Sequence, residues 1–134
     1  MNQQATRQKE KKMDNLNEEN RIRETINYYI EGMRTHSVKI LKQGFHSQAI
    51  LCGYLGDEML AAPIAGLYEW VDANTAPAET GEVFECSILS IEITGRVAAA
   101  KMRETAPDGV FIDYFHLLND GNGWWIVSKL WDAE

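Results

Sequence analysis

The sequence predicts an α+β fold in which N-terminal helices pack on a curved antiparallel sheet. Between residues 20 and 33, large apolar side chains recur every three or four positions, which is the spacing of one buried helix face. After residue 82 the apolar spacing changes to two, and glycine-containing turns separate four strand-like runs. Helices followed by consecutive antiparallel strands are the element order of an α+β domain.

The first helix is expected to begin near Asn20, which is suited to an N-cap. Residues 1–20 are polar and of mixed charge, and they are interpreted as a tail or as an extension of this helix. The single α+β domain is therefore placed at residues 21–134. The buried face of the helix is predicted to carry Ile22, Ile26, Tyr29, Ile30 and Met33.

A second helix, an extended segment and a third helix are expected before the sheet. Residues 37–43 form the second helix, and Gly44 ends it. Residues 45–55 alternate as a strand does, and Gly53 and Gly56 suggest a bend or hairpin there. Pro63 suits the first turn of the third helix, whereas the composition of residues 74–81 predicts a loop.

Three turns set the predicted pairing of the last four strands. A two-residue turn at 94–95 puts Ile91 opposite Ala98. The turns at 105–109 and 119–123 put Lys101 near Asp113, and Asp113 opposite Lys129. The first of these two turns leaves the Lys101 pairing open by one residue, and a shift of one residue moves a side chain to the other face.

Both faces of this sheet are expected to be covered, because both carry many apolar side chains. One face would pack on the helices, and the other would meet a second subunit or line a cavity. We therefore expect a homodimer that forms through the sheet. Which face lines a pocket is left open by the sequence.

The overall charge and the cysteines exclude several classes of function. A net charge of −7 over 134 residues disfavours nucleic acid and membrane surfaces as partners, since both require a basic footprint. The only two cysteines, Cys52 and Cys86, are interpreted as small buried hydrophobic residues, and the histidines lack metal-ligand spacing. We expect no cofactor and no metal. A polar N-terminus without an apolar core segment, and no apolar run of 18 residues, indicate a cytoplasmic protein.

Asp113 with Lys129 is the strongest candidate for chemistry in the sequence. A buried aspartate beside a lysine could act as an acid or base, or it could be an ion pair that fixes strand register. His46 could hydrogen-bond a ligand or shuttle a proton. Trp70 is a candidate for stacking on a flat ligand, although aromatic side chains in a small domain often belong to the core.

Four segments resemble a known superfamily in content and order. They span residues 29–32, 45–49, 113–118 and 123–131, and they are YIEG, FHSQA, DYFHLL and GWWIVSKLW. The order resembles the nuclear transport factor two-like superfamily, and the segments look like its subgroup labelled "putative lumazine-binding". The resemblance covers about residues 21–132.

The resemblance implies a cystatin-like cone with a pocket between the first helix, residues 45–51 and the concave sheet face. Enzymes of the superfamily often place a carboxylate base after the second helix, where this chain has Gln48, which cannot accept a proton. The resulting hypothesis is a small-molecule-binding domain whose ligand-binding residues are Tyr29, His46, Trp70, Asp113 and Lys129. The alternatives are a cofactor-independent isomerase or lyase and a pure dimerisation module. In the isomerase branch a tyrosine from the first helix can donate a hydrogen bond to a developing oxyanion, and the resemblance gives that role to Tyr29, with Asp113 or His46 as the base.

Overall fold

The computed structural model of the protein describes residues 3–134, apart from the side chains of residues 11 and 12. It confirms the α+β fold. The helices are α1 (Gln3–Thr35), α2 (Val38–Gly44), α3 (Ile64–Ala73) and α4 (Pro77–Thr80). The strands are β1 (Phe45–Leu55), β2 (Glu58–Pro63), β3 (Glu85–Thr94), β4 (Val97–Ala106), β5 (Gly109–Asn119) and β6 (Trp124–Ala133).

One six-stranded sheet has the order β2-β1-β6-β5-β4-β3. The four-strand meander and the β1–β2 hairpin at Gly56 are confirmed. The sequence did not indicate that β1 joins β6, and it does so in parallel. This long-range pairing carries Leu51 and Gly53 to the strand that bears Lys129.

Helix α1 includes residues 3–20, so of the two interpretations of this segment the helix extension is the one found. A start at Asn20 is wrong, because the helix runs without a break from Gln3. No glycine or proline interrupts residues 3–31, and glutamine, lysine, glutamate and alanine favour helix. Over residues 3–17 the described side chains are exposed, so that this part projects roughly 22 Å at 1.5 Å per residue. Glu18 anchors the helix to the sheet, since its Oε2 accepts a hydrogen bond from Trp124 Nε1 at 2.5 Å.

The other helices lie close to their predicted places. Ser37 caps α2, since its side chain accepts from the N–H of Ile40. Pro63 caps α3. The region predicted as a loop at 74–81 contains the one-turn helix α4, which begins with Pro77. No helix among the described residues is long and apolar enough to cross a membrane.

The predicted register of the sheet needs three corrections. The β3–β4 turn is Gly95-Arg96, because Gly95 takes the positive φ of 57° that the tight turn requires, and Ile91 therefore faces Ala100. The β4–β5 register differs by one residue from the prediction. Lys101 consequently lies opposite Tyr114, on the face of the sheet that points away from the helices. Its predicted place near Asp113 is therefore wrong.

The third correction concerns Asp113 and Lys129. Asp113 faces Trp131 directly, and Lys129 faces Phe115. An irregularity in the β5–β6 ladder at His116/Leu117 adds one residue on β6, and the turn is one residue shorter than predicted because Asn119 pairs with Trp124. Together these two differences shift the register by two. A shift of two keeps the same face, and so Asp113 and Lys129 are diagonal neighbours on it.

The core lies between the helices and one face of the sheet, which we call the concave face. Ala98, Ala100 and Met102 of β4 share this face with Asp113 of β5. On the concave face the buried or half-buried side chains are those of Ala98, Ala100, Met102, Glu104, Phe111, Asp113, Phe115, Leu117, Ile126, Lys129 and Trp131. The opposite, convex face carries Tyr114 and Leu130.

Candidate functional site

The candidate site is a group of four polar side chains inside the core, which we call the polar cluster. It consists of Tyr29, Glu104, Asp113 and Lys129. All four are less than a tenth exposed, and Tyr29 and Asp113 are 0% exposed. Charged side chains are seldom this buried unless they are paired, so each member requires its partners to be identified.

Helix α1 supplies Tyr29 from its apolar stripe. The ring packs edge-on against Phe45, at 5.9 Å between centroids, and against Phe115, at 5.3 Å. The hydroxyl then reaches across to the sheet and donates to Glu104 Oε1 at 2.5 Å. This short bond to a carboxylate satisfies the phenol and one oxygen of Glu104.

Strand β5 supplies Asp113, which is the unusual member. Neither of its carboxylate oxygens has a partner at normal hydrogen-bond geometry, although the Lys129 ammonium and the carboxyl of Glu104 both lie close enough to act on its pKa. Its nearest cation is Lys129 Nζ, 3.6 Å from Oδ1, which is an ion-pair distance but longer than a normal N–H···O bond. A buried carboxylate that accepts no hydrogen bond is costly.

Strand β6 supplies Lys129, whose ammonium lies between two aromatic rings. Its Nζ is 5.1 Å from the centroid of Tyr29 and 4.5 Å from that of Trp131. Both distances are within the range of cation–π attraction. The two rings therefore position Lys129 in the cluster, and their π-faces stabilise part of the ammonium charge that carboxylate oxygens would otherwise stabilise.

Trp131 is fixed from its other side by Gly53 of β1. A Cβ added at Gly53 would overlap the indole ring of Trp131. Only glycine leaves room for the ring to lie against the β1 backbone. The parallel β1–β6 pairing thus sets the position of the tryptophan, and through it the position of Lys129.

Burial controls the protonation of the cluster. It raises the pKa of Asp113 from 3.8 to about 7, with Glu104 adding to the rise and Lys129 opposing it. Burial also raises the pKa of Tyr29 well above its ordinary value, and the charges of Glu104 and Asp113 add to this. The thiol of Cys86, directly opposite Glu104 in the sheet, has its pKa raised by burial and by the same two carboxylates. It is therefore a neutral thiol.

The structure brings three of the five predicted ligand-binding residues together: Tyr29, Asp113 and Lys129. The other two lie elsewhere. The indole of Trp70 is 51% exposed and tilts against the ring of His36, at 5.3 Å between centroids. The ring of His46 accepts a hydrogen bond from the backbone N–H of Gln48 at 3.1 Å.

Sequence reasoning did not single out Glu104 as part of the site. It stands at the end of β4, where a glutamate resembles a surface residue. The signal that could have found it is alternation, since Ala98, Ala100 and Met102 precede it on the same buried face. Trp131 was identified only as one of several aromatic residues.

Other polar groupings lie outside the cluster. His116 Nδ1 and Ser128 Oγ are 3.0 Å apart on the convex side, and His36 Nδ1 donates to the carbonyl oxygens of Val71 and Asn74. Two surface clefts of about 450 Å³ each run beside α1, and Asp113 lines neither. Within residues 3–134, no three histidine, cysteine or carboxylate side chains are placed to share a metal ion.

The fold places the chain in a class that comparisons with solved structures also indicate. An NTF2-like protein of unknown function from Shewanella baltica superposes with a TM-score of 0.77 at 29% identity, over 87% of this chain and 94% of that one. A domain of unknown function with a cystatin-like fold from Nostoc punctiforme superposes with a TM-score of 0.69 at 14% identity, over 87% and 77%. The protein is thus an NTF2-like α+β cone.

The family can be stated more closely. Residues 17–132 match the model of the family described as "Putative lumazine-binding", and the chain belongs to that family. Among curated proteins it is similar to the aldolase FrzH of Cladobotryum sp, with 23% identity over 105 residues, which are 78% of this chain and 82% of the aldolase. Family membership suggests a ligand-binding domain.

Proposed function

We propose that the protein binds a small molecule inside the cone, at the polar cluster. The observation that carries the proposal is the carboxylate of Asp113, which is fully buried and accepts no hydrogen bond. Native structures rarely leave such a group without donors, and the exceptions deserve a functional explanation. A ligand that donates to Asp113 would complete the site.

The surroundings of the cluster support this reading. Phe45, Phe115 and Trp131 provide apolar and aromatic walls, while Lys129 and Asp113 provide one donor and one acceptor. Ligand sites are usually apolar with a few convergent polar groups that fix orientation. The edge of the cluster at Lys129 and Trp131 is its more exposed side, so entry is expected there.

The binding experiment uses a ¹⁵N-labelled protein and a fragment library. The indole N–H signal of Trp131, assigned with Trp131→Phe, is followed for each fragment. Fragments that bind the cluster should shift this signal in the wild type, and Asp113→Asn should weaken them. The matched control is His116→Ala on the convex face, which should not alter their affinity. Fragments that shift only signals of α1 at the outer clefts would contradict the proposal.

A second candidate is a cofactor-independent enzyme that moves a proton. It is favoured by the pKa of Asp113, which at about 7 suits a general base at neutral pH, and by the similarity to an aldolase. Asp113 would remove a proton next to a carbonyl group, and Lys129 would stabilise the resulting oxyanion. Tyr29 is less suited to that role than the family resemblance implied, because its hydroxyl already donates a hydrogen bond to Glu104.

The enzyme candidate predicts proton exchange. Simple ketones incubated with the protein in D₂O should lose protons next to the carbonyl faster than in buffer alone, as measured by NMR. Asp113→Asn should abolish the difference. Exchange at the same rate in wild type and variant would exclude Asp113 as the base.

We also propose a homodimer that forms through the convex face of the sheet. Ile50, Tyr54, Tyr114 and Leu130 are 41–50% exposed there, and register places Leu130 between Tyr114 and Cys52. A contiguous apolar patch on a sheet is typical of a subunit interface. Leu130→Glu should convert the dimer to a monomer in sedimentation experiments. Met13→Glu, at an exposed apolar residue outside the sheet, is the control.

A cytoplasmic location is proposed on the state of the thiols. Cys52 and Cys86 are both free. Reducing compartments keep cysteines in this form. The partner of the protein in that compartment would be the small molecule, with no nucleic acid or membrane surface required, since the chain carries a charge of −7.

A further inference from the structure

The polar cluster has more negative than positive charge available to it. Glu104 from β4 and Asp113 from β5 are both buried carboxylates, and Lys129 from β6 is the cation that faces them. The remaining titratable groups that act on Asp113 or respond to it are Tyr29 from α1 and Cys86 from β3, and the raised pKa of each keeps it neutral. When both carboxylates are ionised, the cluster carries a net charge of −1.

The two carboxylates differ in how they are satisfied. Glu104 accepts a hydrogen bond from the Tyr29 hydroxyl at 2.5 Å, whereas neither oxygen of Asp113 has a donor at normal hydrogen-bond geometry. Lys129 stands beside Oδ1 at 3.6 Å and is drawn towards the Tyr29 and Trp131 rings. The group that the cluster lacks is therefore a positive charge with two donors that are spaced for one carboxylate.

We propose that the cluster recognises a planar nitrogen cation with two N–H groups on one edge, such as an amidinium, a guanidinium or a protonated amino-heterocycle. Its two N–H groups would meet the two oxygens of Asp113 in the bidentate geometry that carboxylates favour. This inference rests on the proposed small-molecule function and names its ligand class. The flat cation would also suit a site with aromatic walls.

Binding of such a cation should depend on pH through the protonation of Asp113. The cation needs the ionised carboxylate, and a proton competes for the same oxygens. Since the pKa of Asp113 is about 7, the carboxyl is mostly protonated at pH 6 and mostly ionised at pH 8. Affinity for a cation should therefore rise about tenfold from pH 6 to pH 8, and binding near neutral pH should release a proton.

Three probes of the same shape and different charge test the proposal: benzamidine, which is a cation at both pH values, benzamide, which is neutral, and benzoate, which is an anion. Their dissociation constants are measured by calorimetry or by the Trp131 indole signal at pH 6 and pH 8. At pH 8 benzamidine should bind at least tenfold more tightly than the other two. Its dissociation constant should fall about tenfold between pH 6 and pH 8.

Variants locate the charge that is recognised. Asp113→Asn should remove both the preference for benzamidine and the pH dependence. Glu92→Gln, which removes a carboxylate from the exposed side of β3, should change neither. The comparison of the three probes and the comparison of pH 6 with pH 8 both use the wild-type protein. The proposal therefore remains testable even if Asp113→Asn folds poorly.

Each outcome bears on one proposal or on both. Preference for benzoate would make Lys129 the anchor and would overturn the cation proposal. Equal binding of all three probes, or binding without pH dependence, would overturn it as well. If library fragments bind the cluster and benzamidine does not, the ligand class is wrong and the small-molecule function stands. If no compound of either set reaches the cluster, both proposals fail.

Discussion

Replacing Asp113 with asparagine should change how the stability of the protein depends on pH. The pKa of Asp113 is raised from 3.8 to about 7 in the folded protein, mainly by burial. The folded state therefore holds a proton that the unfolded state has already lost above pH 4. A group with a raised pKa contributes its stability at low pH and loses it as the pH rises through the folded value.

The size of the effect follows from the shift. At 1.36 kcal/mol per unit, a shift of this size has a ceiling of about 4 kcal/mol. About 3 kcal/mol of this ceiling falls between pH 4.5 and pH 8, because part of the loss occurs below pH 4.5. Lys129 can approach the ionised carboxylate and reduce the loss, so the free energy of unfolding of the wild type, relative to Asp113→Asn, should fall by about 2–3 kcal/mol between pH 4.5 and pH 8.

The assay is urea unfolding at pH 4.5, 6, 7 and 8, followed by tryptophan fluorescence at fixed protein concentration. Comparing wild type with variant at each pH cancels the titration of all other groups that the substitution leaves unchanged. Glu92→Gln serves as the control and should stay parallel to the wild type. A difference between wild type and Asp113→Asn that is flat from pH 4.5 to pH 8 would refute the reasoning, because Asp113 would then titrate as it does in the unfolded chain.

Two further substitutions test the supports of the cluster. Tyr29→Phe removes the donor to Glu104 and leaves a buried carboxylate oxygen unpaired, so urea unfolding should show a loss of roughly 1–3 kcal/mol. Gly53→Ala forces the indole of Trp131 to move, and the loss of its packing should cost roughly 1–3 kcal/mol and shift the tryptophan fluorescence spectrum. The control for the second is Gly123→Ala, where an added Cβ meets open space; an equal effect in both variants would contradict the close contact.

The sequence predicted the elements well because their signals are local. The spacing of Ile22, Ile26 and Tyr29 defines one helix face, and this places Tyr29 in the core without any knowledge of its partners. Turn residues likewise separate the four strands of the meander. The start predicted at Asn20 was wrong because a residue suited to an N-cap does not interrupt a helix when good helix formers stand on both sides of it.

The pairing register of the strands could be predicted only as accurately as the lengths of the turns between them. An error of one residue between β4 and β5 put Lys101 on the wrong face. An error of two between β5 and β6 left Lys129 on the correct face, although Asp113 meets Trp131 and not Lys129 directly across the ladder. A strand irregularity depends on tertiary packing and leaves no plain mark in the sequence, so part of the agreement on Lys129 was fortuitous.

The rest of the candidate site depends on contacts far apart in the chain. Glu104 belongs to it because α1 brings Tyr29 within hydrogen-bond distance, 75 residues away. Gly53 belongs to it because β1 and β6 pair in parallel. Neither contact has a short-range pattern. The sequence led instead to His46, which lies in a segment that resembles the family, and to Trp70, an aromatic candidate for stacking; both side chains lie apart from the cluster.

The projecting part of α1 makes the molecule electrically lopsided. Residues 1–17 carry four basic and two acidic side chains, while residues 18–134 carry nine basic and eighteen acidic. The positive end of the dipole of α1 is at the same tip. The basic positions lie between residues 7 and 12, which is roughly 9–16 Å along the helix from Glu18. This is about one Debye length or more in 0.1 M salt, so the basic segment and the acidic body are partly screened from each other. Near an acidic surface the protein should therefore orient the N-terminal end of α1 towards that surface and its acidic body away from it.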